Sequence, residues 1–249
     1  MGHPFITLAK RLMRMTPYEL RRRMPAPTLP PSDLVLAYSL AARLPKTIVQ
    51  VGACDGMMRD PIVQFVRKGA PRAILIEPNP LAFSRLQKTY AGVANVTLVQ
   101  AAIGDEDGEA TLYRAKATGK AETEFDRTLA FASFKRDHLV RHGFDPRTVE
   151  PITVPSRTLA SLVAEFGLDR IDFLQIDAEG YDAAIVRQAL QLAVLPGCIN
   201  FEHLHLSTGD RRTLFAQLQE KGYLLGYDEW NVLALQKPVL ESWQSEPHR

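Results

Sequence analysis

The sequence contains only two cysteines, Cys54 and Cys198, and lacks any hydrophobic run long enough to cross a membrane. Two cysteines do not make a disulfide framework, so we expect both to be reduced thiols. The apolar runs all fall short of the ~18 residues that a membrane-spanning helix needs. The pattern of a secretory signal is also missing near residue 1. That pattern is a charged segment followed by an apolar stretch and a cleavage site. These absences predict a cytoplasmic protein.

Net charge is also small, +2 over 249 residues, but it is unevenly distributed. Residues 1–23 carry six Lys or Arg side chains against a single acid, Glu19, which leaves the rest of the chain net negative. A negative body argues against a nucleic-acid-binding surface. We interpret the basic segment as a solvated amphipathic lead-in helix. Contact with an anionic membrane surface, a nucleic acid or a protein partner is the alternative.

The order of segments predicts two parts, a basic arm at residues 1–31 and a body at residues 32–249. Four prolines between positions 25 and 31 separate them. In the body, short β-branched runs alternate with helical patterns, which is typical of βαβ units and a mainly parallel sheet. Two apolar runs near the end predict a closing antiparallel hairpin. The predicted parallel strands are Thr47–Val51, Ala73–Ile76, Val96–Ala101, Ile171–Ile176 and Cys198–Phe201.

Residues 115–150 interrupt this alternation with a polar, aperiodic segment. Long aperiodic segments inside compact domains tend to be functional lids or disordered. We therefore expect an insertion that covers a substrate, although a single histidine in it is more often solvated than catalytic. Its chemically active side chains are Ser133, Lys135, His138, Arg141 and His142.

A glycine turn follows the first predicted strand, with Gly52 and Gly56 four positions apart. Either the turn needs residues without a Cβ, or a ligand lies against the bare backbone. Glu77 comes 25 residues after Gly52, at the end of the second strand, where an acid can accept hydrogen bonds from a ribose diol. The spacing departs from the G-x-G-x-x-G turn of nicotinamide enzymes, which favours an adenosine cofactor without a pyrophosphate.

Six stretches between residues 45 and 205 together resemble a known family. They are "VQVGACDG", "LIEPNP", "VTLVQAAIGDEDGEATLY", "VPSRTL", "DFLQIDAEGYD" and "INFEH". In this order and spacing they look like an FkbM-type S-adenosylmethionine-dependent methyltransferase. The resemblance implies a Rossmann-like, seven-stranded methyltransferase fold and S-adenosylmethionine (SAM) as methyl donor. It also implies a hydroxyl acceptor, which we expect on a small molecule or a glycan.

The chain departs from the family pattern at two positions of the glycine turn. Gln50 stands where the family commonly has Asp, and Cys54 stands where it commonly has Asn. Gln50 cannot supply a charge to the ammonium group of the cofactor, and we expect Asp55 to compensate. The predicted cofactor-binding residues are Gln50, Gly52, Ala53, Asp55, Gly56, Glu77, Asn79, Ala102 and Asp177.

The predicted acceptor side of the site consists of Asp177, Glu202 and His203, which follow two strands that are adjacent in this fold. In one route His203 takes the acceptor proton and a carboxylate orients it. In the other, Asp177 and Glu202 bind Mg²⁺ or a similar divalent cation, as in enzymes similar to catechol O-methyltransferase. A structural role is the alternative, in which Asp177 caps the next helix and Glu179 satisfies backbone donors.

Three functions from different classes are compatible with these residues. The resemblance favours a SAM-dependent methyltransferase. A non-catalytic SAM-binding scaffold is the second, although a scaffold has no need of acids at the strand ends. A nicotinamide oxidoreductase is the third, and the missing third glycine argues against it.

Overall fold

A computed structural model describes residues 47–57, 60, 62–67, 72–116, 128, 131–227 and 229–236. The basic arm and the predicted domain boundary at residue 31 lie outside these residues. The described strands are β1 Thr47–Val51, β2 Arg72–Ile76, β3 Val96–Val99, β4 Ala102–Ile103, β5 Gly108–Ala115, β6 Ala132–Ser133, β7 Val149–Arg157, β8 Phe173–Ile176, β9 Cys198–Glu202, β10 Tyr223–Tyr227 and β11 Asn231–Gln236. The described helices are α1 Val63–Arg67, α2 Pro80–Thr89, α3 Arg136–Arg141, α4 Leu159–Glu165, α5 Asp182–Ala189 and α6 Thr208–Glu220.

A seven-stranded sheet with the order β10-β11-β9-β8-β1-β2-β3 forms the centre of the fold. Its five strands from β9 to β3 run parallel, whereas β11 is antiparallel to both β9 and β10. This arrangement confirms the predicted α/β fold with a mainly parallel sheet and a closing antiparallel hairpin. The chain moves outward from β1 to β3 and later fills the other side from β8, so the strand order reverses between β1 and β8. In such sheets ligands bind beyond the carboxyl ends of the strands at this reversal.

Apolar side chains on the central strands build the core around this point. Val49 on β1, Ile74 on β2 and Leu174 on β8 are fully buried and belong to one hydrophobic cluster. Strands buried on both faces are expected in a parallel sheet that helices cover. No helix among the described residues combines the length and hydropathy needed to cross a membrane.

A second, four-stranded sheet, with the order β4-β7-β5-β6, was not predicted as a sheet. Its main pairing is antiparallel, between β5 and β7, and extends from Gly108↔Ser156 to Ala115↔Val149. In the sequence, Glu109–Arg114 is typical of an extra strand and Pro151–Pro155 of an extended run, but neither pattern predicts a partner strand. Of the predicted insertion, strand β6 belongs to this sheet, and helix α3 contacts β5, β6 and β7. The described part of the insertion is therefore anchored to the second sheet.

Candidate active site

The turn after β1 is held against the end of β2. The backbone N–H groups of Gly52 and Ala53 both donate to the carbonyl of Ile76, at 2.9 and 3.0 Å. Gly52 has a φ of +79°, and a Cβ added there would lie 1.8 Å from the backbone oxygen of Asp177. Gly52 is thus required by the close approach of two strand ends. Contact of Gly52 and Ala53 with a cofactor stays a prediction.

Gly56 also has a structural reason to be glycine. Its φ is +72°, and an added Cβ would lie 2.5 Å from Cε2 of Tyr90 and 2.7 Å from Cδ1 of Leu86. These two side chains come from the end of α2, so the missing Cβ lets the turn pack on that helix. Packing therefore explains the glycine at both positions, 52 and 56.

Glu77, the acid predicted to bind a ribose, is buried at the end of β2. Its Oε2 accepts from the backbone N–H of Cys54 at 2.8 Å, and its Oε1 accepts from the N–H of Asn79 at 2.7 Å. Burial raises the pKa of Glu77 to about 7, and the two N–H donors oppose that shift. A carboxylate offers about four acceptor positions, so each oxygen retains capacity for a further hydrogen bond.

An acid that the sequence did not single out, Asp60, is paired with Gln50. The two side chains are hydrogen-bonded, and burial raises the pKa of the Asp60 carboxyl. The Oε1 of Gln50 and the Oδ2 of Asp60 are buried without a hydrogen-bond partner. Asp55 accepts from the N–H of Met57 at 2.9 Å within its own turn. Asp60 is therefore a second acid beside Gln50, and compensation by Asp55 stays a prediction.

Two other predicted cofactor residues have structural roles. The Oδ1 of Asn79 accepts from the N–H of Leu81 at 3.2 Å and so caps α2, whose first residue is Pro80. Ala102 lies in β4 and packs with Leu112 in the small core of the second sheet. A role of Asn79 and Ala102 in cofactor binding stays a prediction.

Four acids gather after β8 and β9: Asp177, Glu179, Asp182 and Glu202. Burial and mutual repulsion raise the pKa of Asp177 well above its usual value. For the same reasons the pKa values of Glu179 and Glu202 rise to about 8. The Asp177 residue is nevertheless exposed to solvent. Ile176 pairs with Phe201 in the sheet, so the two predicted acids, Asp177 and Glu202, follow neighbouring positions of β8 and β9.

Asp182 connects the two strand ends and was missed by the sequence analysis. Its buried carboxylate accepts from the N–H groups of Ala178, Gly180 and Glu202 at 3.3–3.4 Å. These donors lie in the loop before α5 and at the end of β9, so Asp182 ties the two strand ends together. Capping of α5 by Asp177 or Glu179 stays an alternative, and the N-cap residue Tyr181 makes no side-chain cap hydrogen bond.

The insertion contributes a buried histidine to this acidic cluster. Nε2 of His138 lies 2.9 Å from Oε2 of Glu179, and the hydroxyl of Ser133 donates to the Glu179 carbonyl at 2.8 Å. Glu179 adopts a left-handed backbone conformation with a φ of +47°. His138 is 3% exposed, so the expectation of a solvated histidine is wrong at this position. A sequence signal was available, because His138 and His142 are four positions apart and share one face of a helix.

The predicted base, His203, does not have the surroundings expected of one. It is 2% exposed, and its ring centroid lies 5.9 Å from that of Phe215 and 6.1 Å from that of Tyr227. His205 is the histidine next to an acid, with Nε2 3.6 Å from Oε1 of Glu202. Because a general base must reach its substrate, the geometry favours residues other than His203.

The two acids predicted to bind a metal ion, Asp177 and Glu202, also lie outside the group of side chains whose spacing suits one. Among the described residues, the group of three or more such side chains consists of His138, His142 and His205. Asp177 and Glu202 do not join it. Metal binding by these two acids stays a prediction without geometric support.

Comparison with known proteins gives a family match over most of the chain. The family described as "Methyltransferase FkbM domain" matches residues 50–225. A curated relative, the 2-O-methyltransferase NoeI of Sinorhizobium fredii (strain NBRC 101917 / NGR234), is 26% identical over 160 residues. That match covers 63% of this chain and 64% of NoeI, which is less than two thirds of the relative's length.

Two solved structures are similar in part. The methyltransferase FkbM from Methylobacillus flagellatus KT is 16% identical with a TM-score of 0.47, over 93% of this chain and 57% of that one. The methyltransferase PaMTH1 of Podospora anserina, solved with SAH, is 11% identical with a TM-score of 0.44. The second match covers 95% of this chain and 89% of PaMTH1.

Proposed function

The chain belongs to the FkbM methyltransferase family. We propose that it is a methyltransferase that transfers the methyl group of SAM to a hydroxyl group of a small molecule or glycan. The name of one relative, a 2-O-methyltransferase, supports an oxygen acceptor. The family match argues against a nicotinamide oxidoreductase. It also argues against a scaffold without catalytic activity.

The observation that carries this proposal is the set of crowded acids at the reversal of the strand order. The pKa values of Glu77, Asp177 and Glu202 are all raised, and repulsion from Glu77 contributes to the shift of Asp177. A bound cation lowers the free energy of such a cluster because it opposes the repulsion among the carboxylates. SAM carries a positively charged sulfonium and an ammonium group, so its positive charge suits this cluster of acids.

Both ends of SAM have acceptors of the right kind. Glu77 retains capacity on both carboxylate oxygens for the ribose hydroxyls, since its two observed donors are backbone N–H groups. The buried Oε1 of Gln50 and Oδ2 of Asp60 lack partners, and an unsatisfied buried acceptor costs about 1–3 kcal/mol. We infer that the ammonium group donates to them. Asp60 then supplies the charge that Gln50 cannot.

SAM supplies a methyl group that is already activated on a positively charged sulfur. The chain has to orient the acceptor hydroxyl, which can lower the barrier by ~7–11 kcal/mol, and has to remove its proton. We assign proton removal to Glu202, because a pKa of about 8 makes its carboxylate a stronger base than an ordinary glutamate. His205, whose pKa is lowered to about 4, holds a proton too weakly for this role.

The experiment that tests the proposal has two parts. Calorimetry measures SAM binding to the full chain, and a panel of hydroxyl acceptors, including oligosaccharides, is then incubated with methyl-labelled SAM. We expect SAM to bind and label to be transferred to an acceptor oxygen. Failure of SAM to bind would refute the donor assignment, and transfer to nitrogen alone would refute the acceptor class.

A further inference from the structure

Three histidines from two separate segments meet beside the acidic cluster. His138 lies on α3, His142 caps the end of the same helix, and His205 lies in the loop after β9. One ring nitrogen of each lies within 4.8 Å of the other two. The ring centroids are 4.4–4.7 Å apart. No sequence pattern predicts that His205 lies near the insertion, so the proximity of the three histidines depends on the tertiary fold.

The spacing suits one metal ion after a small adjustment. Two nitrogens bound to the same tetrahedral Zn²⁺ at 2.0–2.1 Å lie about 3.3 Å apart. The three nitrogens, which lie within 4.8 Å of one another, need to approach by roughly an ångström or more to reach this value. Rotation about the side-chain bonds of His142 and His205, neither of which is buried, can supply that movement.

One of the histidines already has the kind of partner that metal-binding histidines use. A ligating imidazole usually donates its other N–H to a carboxylate or carbonyl, which fixes the ring. Nε2 of His138 lies 2.9 Å from Oε2 of Glu179, which leaves Nδ1 of His138 for a metal. Nε2 of His205 lies 3.6 Å from Oε1 of Glu202, so a small movement of the His205 side chain would form the same kind of contact.

Gly180 keeps one side of His138 clear. A Cβ at Gly180 would lie 3.0 Å from Nδ1 of His138, the nitrogen that the interaction with Glu179 leaves available. The absence of a side chain at this position therefore preserves space at the ligating atom.

Access also favours a cation. His138 is buried, His142 is half-buried and His205 is exposed, so the cluster opens from the protein interior to solvent. The carboxyl groups of Glu179 and Glu202 lie beside the rings of His138 and His205.

We propose that His138, His142 and His205 bind a divalent transition-metal ion of the zinc type, with Glu179 and Glu202 orienting two of the ligands. The ion fastens helix α3 of the insertion to the loop after β9. Three protein ligands leave one coordination position for water or a substrate oxygen. The site does not depend on the identity of the methyl donor.

The test uses untagged, full-length protein that has been dialysed against a chelator and then freed of it. Titration with Zn²⁺ is followed by calorimetry, and Co²⁺ serves as a spectroscopic probe of coordination number. We expect one Zn²⁺ per chain and the intense visible absorption of four-coordinate Co²⁺. His142→Ala and His205→Ala should each weaken Zn²⁺ binding by more than tenfold, and Glu179→Gln by roughly 10- to 100-fold.

The controls separate this site from other modes of binding. His203→Gln changes a histidine outside the cluster and should leave Zn²⁺ affinity unchanged. Because His138 is buried, the two less buried ligands carry the test, with circular dichroism confirming that each variant is folded. Absence of Zn²⁺ binding, or wild-type affinity in both His142→Ala and His205→Ala, would overturn the proposal. So would a loss of binding in Asp177→Asn that neither histidine variant shows.

Discussion

The carboxylate of Glu77 accepts a hydrogen bond at 2.8 Å from the backbone N–H of Cys54, 23 positions earlier in the chain. Cys54 has a left-handed backbone with a φ of +49°, so this bond helps to hold a strained turn after β1. The same acid is our ribose anchor. One side chain at the end of β2 therefore shapes the glycine turn, and we propose that it also binds the cofactor.

Replacement of Glu77 should weaken SAM binding. A hydrogen bond to a charged group contributes about 1.5–3 kcal/mol, so Glu77→Ala should raise the Kd for SAM by roughly tenfold or more in calorimetry. Glu77→Gln keeps one acceptor and should lose less. Glu109→Ala, an exposed acid on β5, is the matched control and should bind SAM normally. A folded Glu77→Ala protein with unchanged affinity would contradict the assignment.

Substitution of Gly52 should act on the fold rather than on the cofactor alone. Gly52→Ala places a Cβ 1.8 Å from the Asp177 oxygen, so the ends of β1 and β8 must separate. We expect a large fall in Tm, measured without cofactor. Gly92→Ala is the control, because Gly92 also has a positive φ, +74°, but open space around it. Its cost should be limited to the left-handed backbone, about 1–2 kcal/mol.

The parallel sheet could be predicted because its strands are short apolar runs with clear local boundaries. Strand β1 has the predicted limits, Thr47–Val51. The second sheet could not be predicted as a sheet, since β5 and β7 pair across the aperiodic insertion and carry no local signal for each other. Their pairing depends on the whole fold.

In the candidate site, the residues at the strand ends were predictable from the sequence, whereas the contacts made by irregular segments were not. Parallel strands end at one edge, so the approach of Asp177 and Glu202 follows from position in the sequence. Hydrogen bonding of Asp60 to Gln50 and contact of His138 with Glu179 depend on how irregular segments pack. Sequence position alone also cannot tell that His203 packs on aromatic rings while His205, two residues later, lies beside an acid.

The stability of the cofactor-free protein should fall between about pH 6.5 and 8.5. The folded pKa values of Glu77, near 7, and of Glu179 and Glu202, near 8, exceed the unfolded value of about 4.3. The folded state therefore binds more protons, and this contribution is fully present below about pH 4.3 and lost as pH rises through 7 to 8. Below about pH 6.5 the lowered pKa of His205 acts in the opposite direction, so the upper window isolates the acids.

Glu202→Gln provides the check on this pH dependence. Chemical denaturation at constant ionic strength should show a slope that is shallower by up to about 1.4 kcal/mol per pH unit. Glu109→Gln, at an exposed position, should keep the wild-type slope. A stability that rises from pH 6.5 to 8.5 in the wild-type protein would contradict the raised pKa values.

Proton removal by Glu202 should be visible in the rate rather than in cofactor binding. Loss of a general base typically costs ~10²–10⁴-fold, so Glu202→Gln should lower kcat by this factor and leave the Kd for SAM near its wild-type value. The wild-type rate should rise with pH to a plateau above about pH 8, as the Glu202 carboxylate ionises. Glu220→Gln, at the exposed end of α6, is the control for loss of an acidic charge.

His203→Ala distinguishes this assignment from the base predicted from sequence. His203 is 2% exposed and packs against Phe215 and Tyr227, so its removal should lower Tm through lost packing. The kcat of the folded fraction should change much less than in Glu202→Gln. If His203→Ala lost ~10²-fold or more in kcat while Glu202→Gln retained wild-type turnover, the base would be His203 and the sequence prediction would stand.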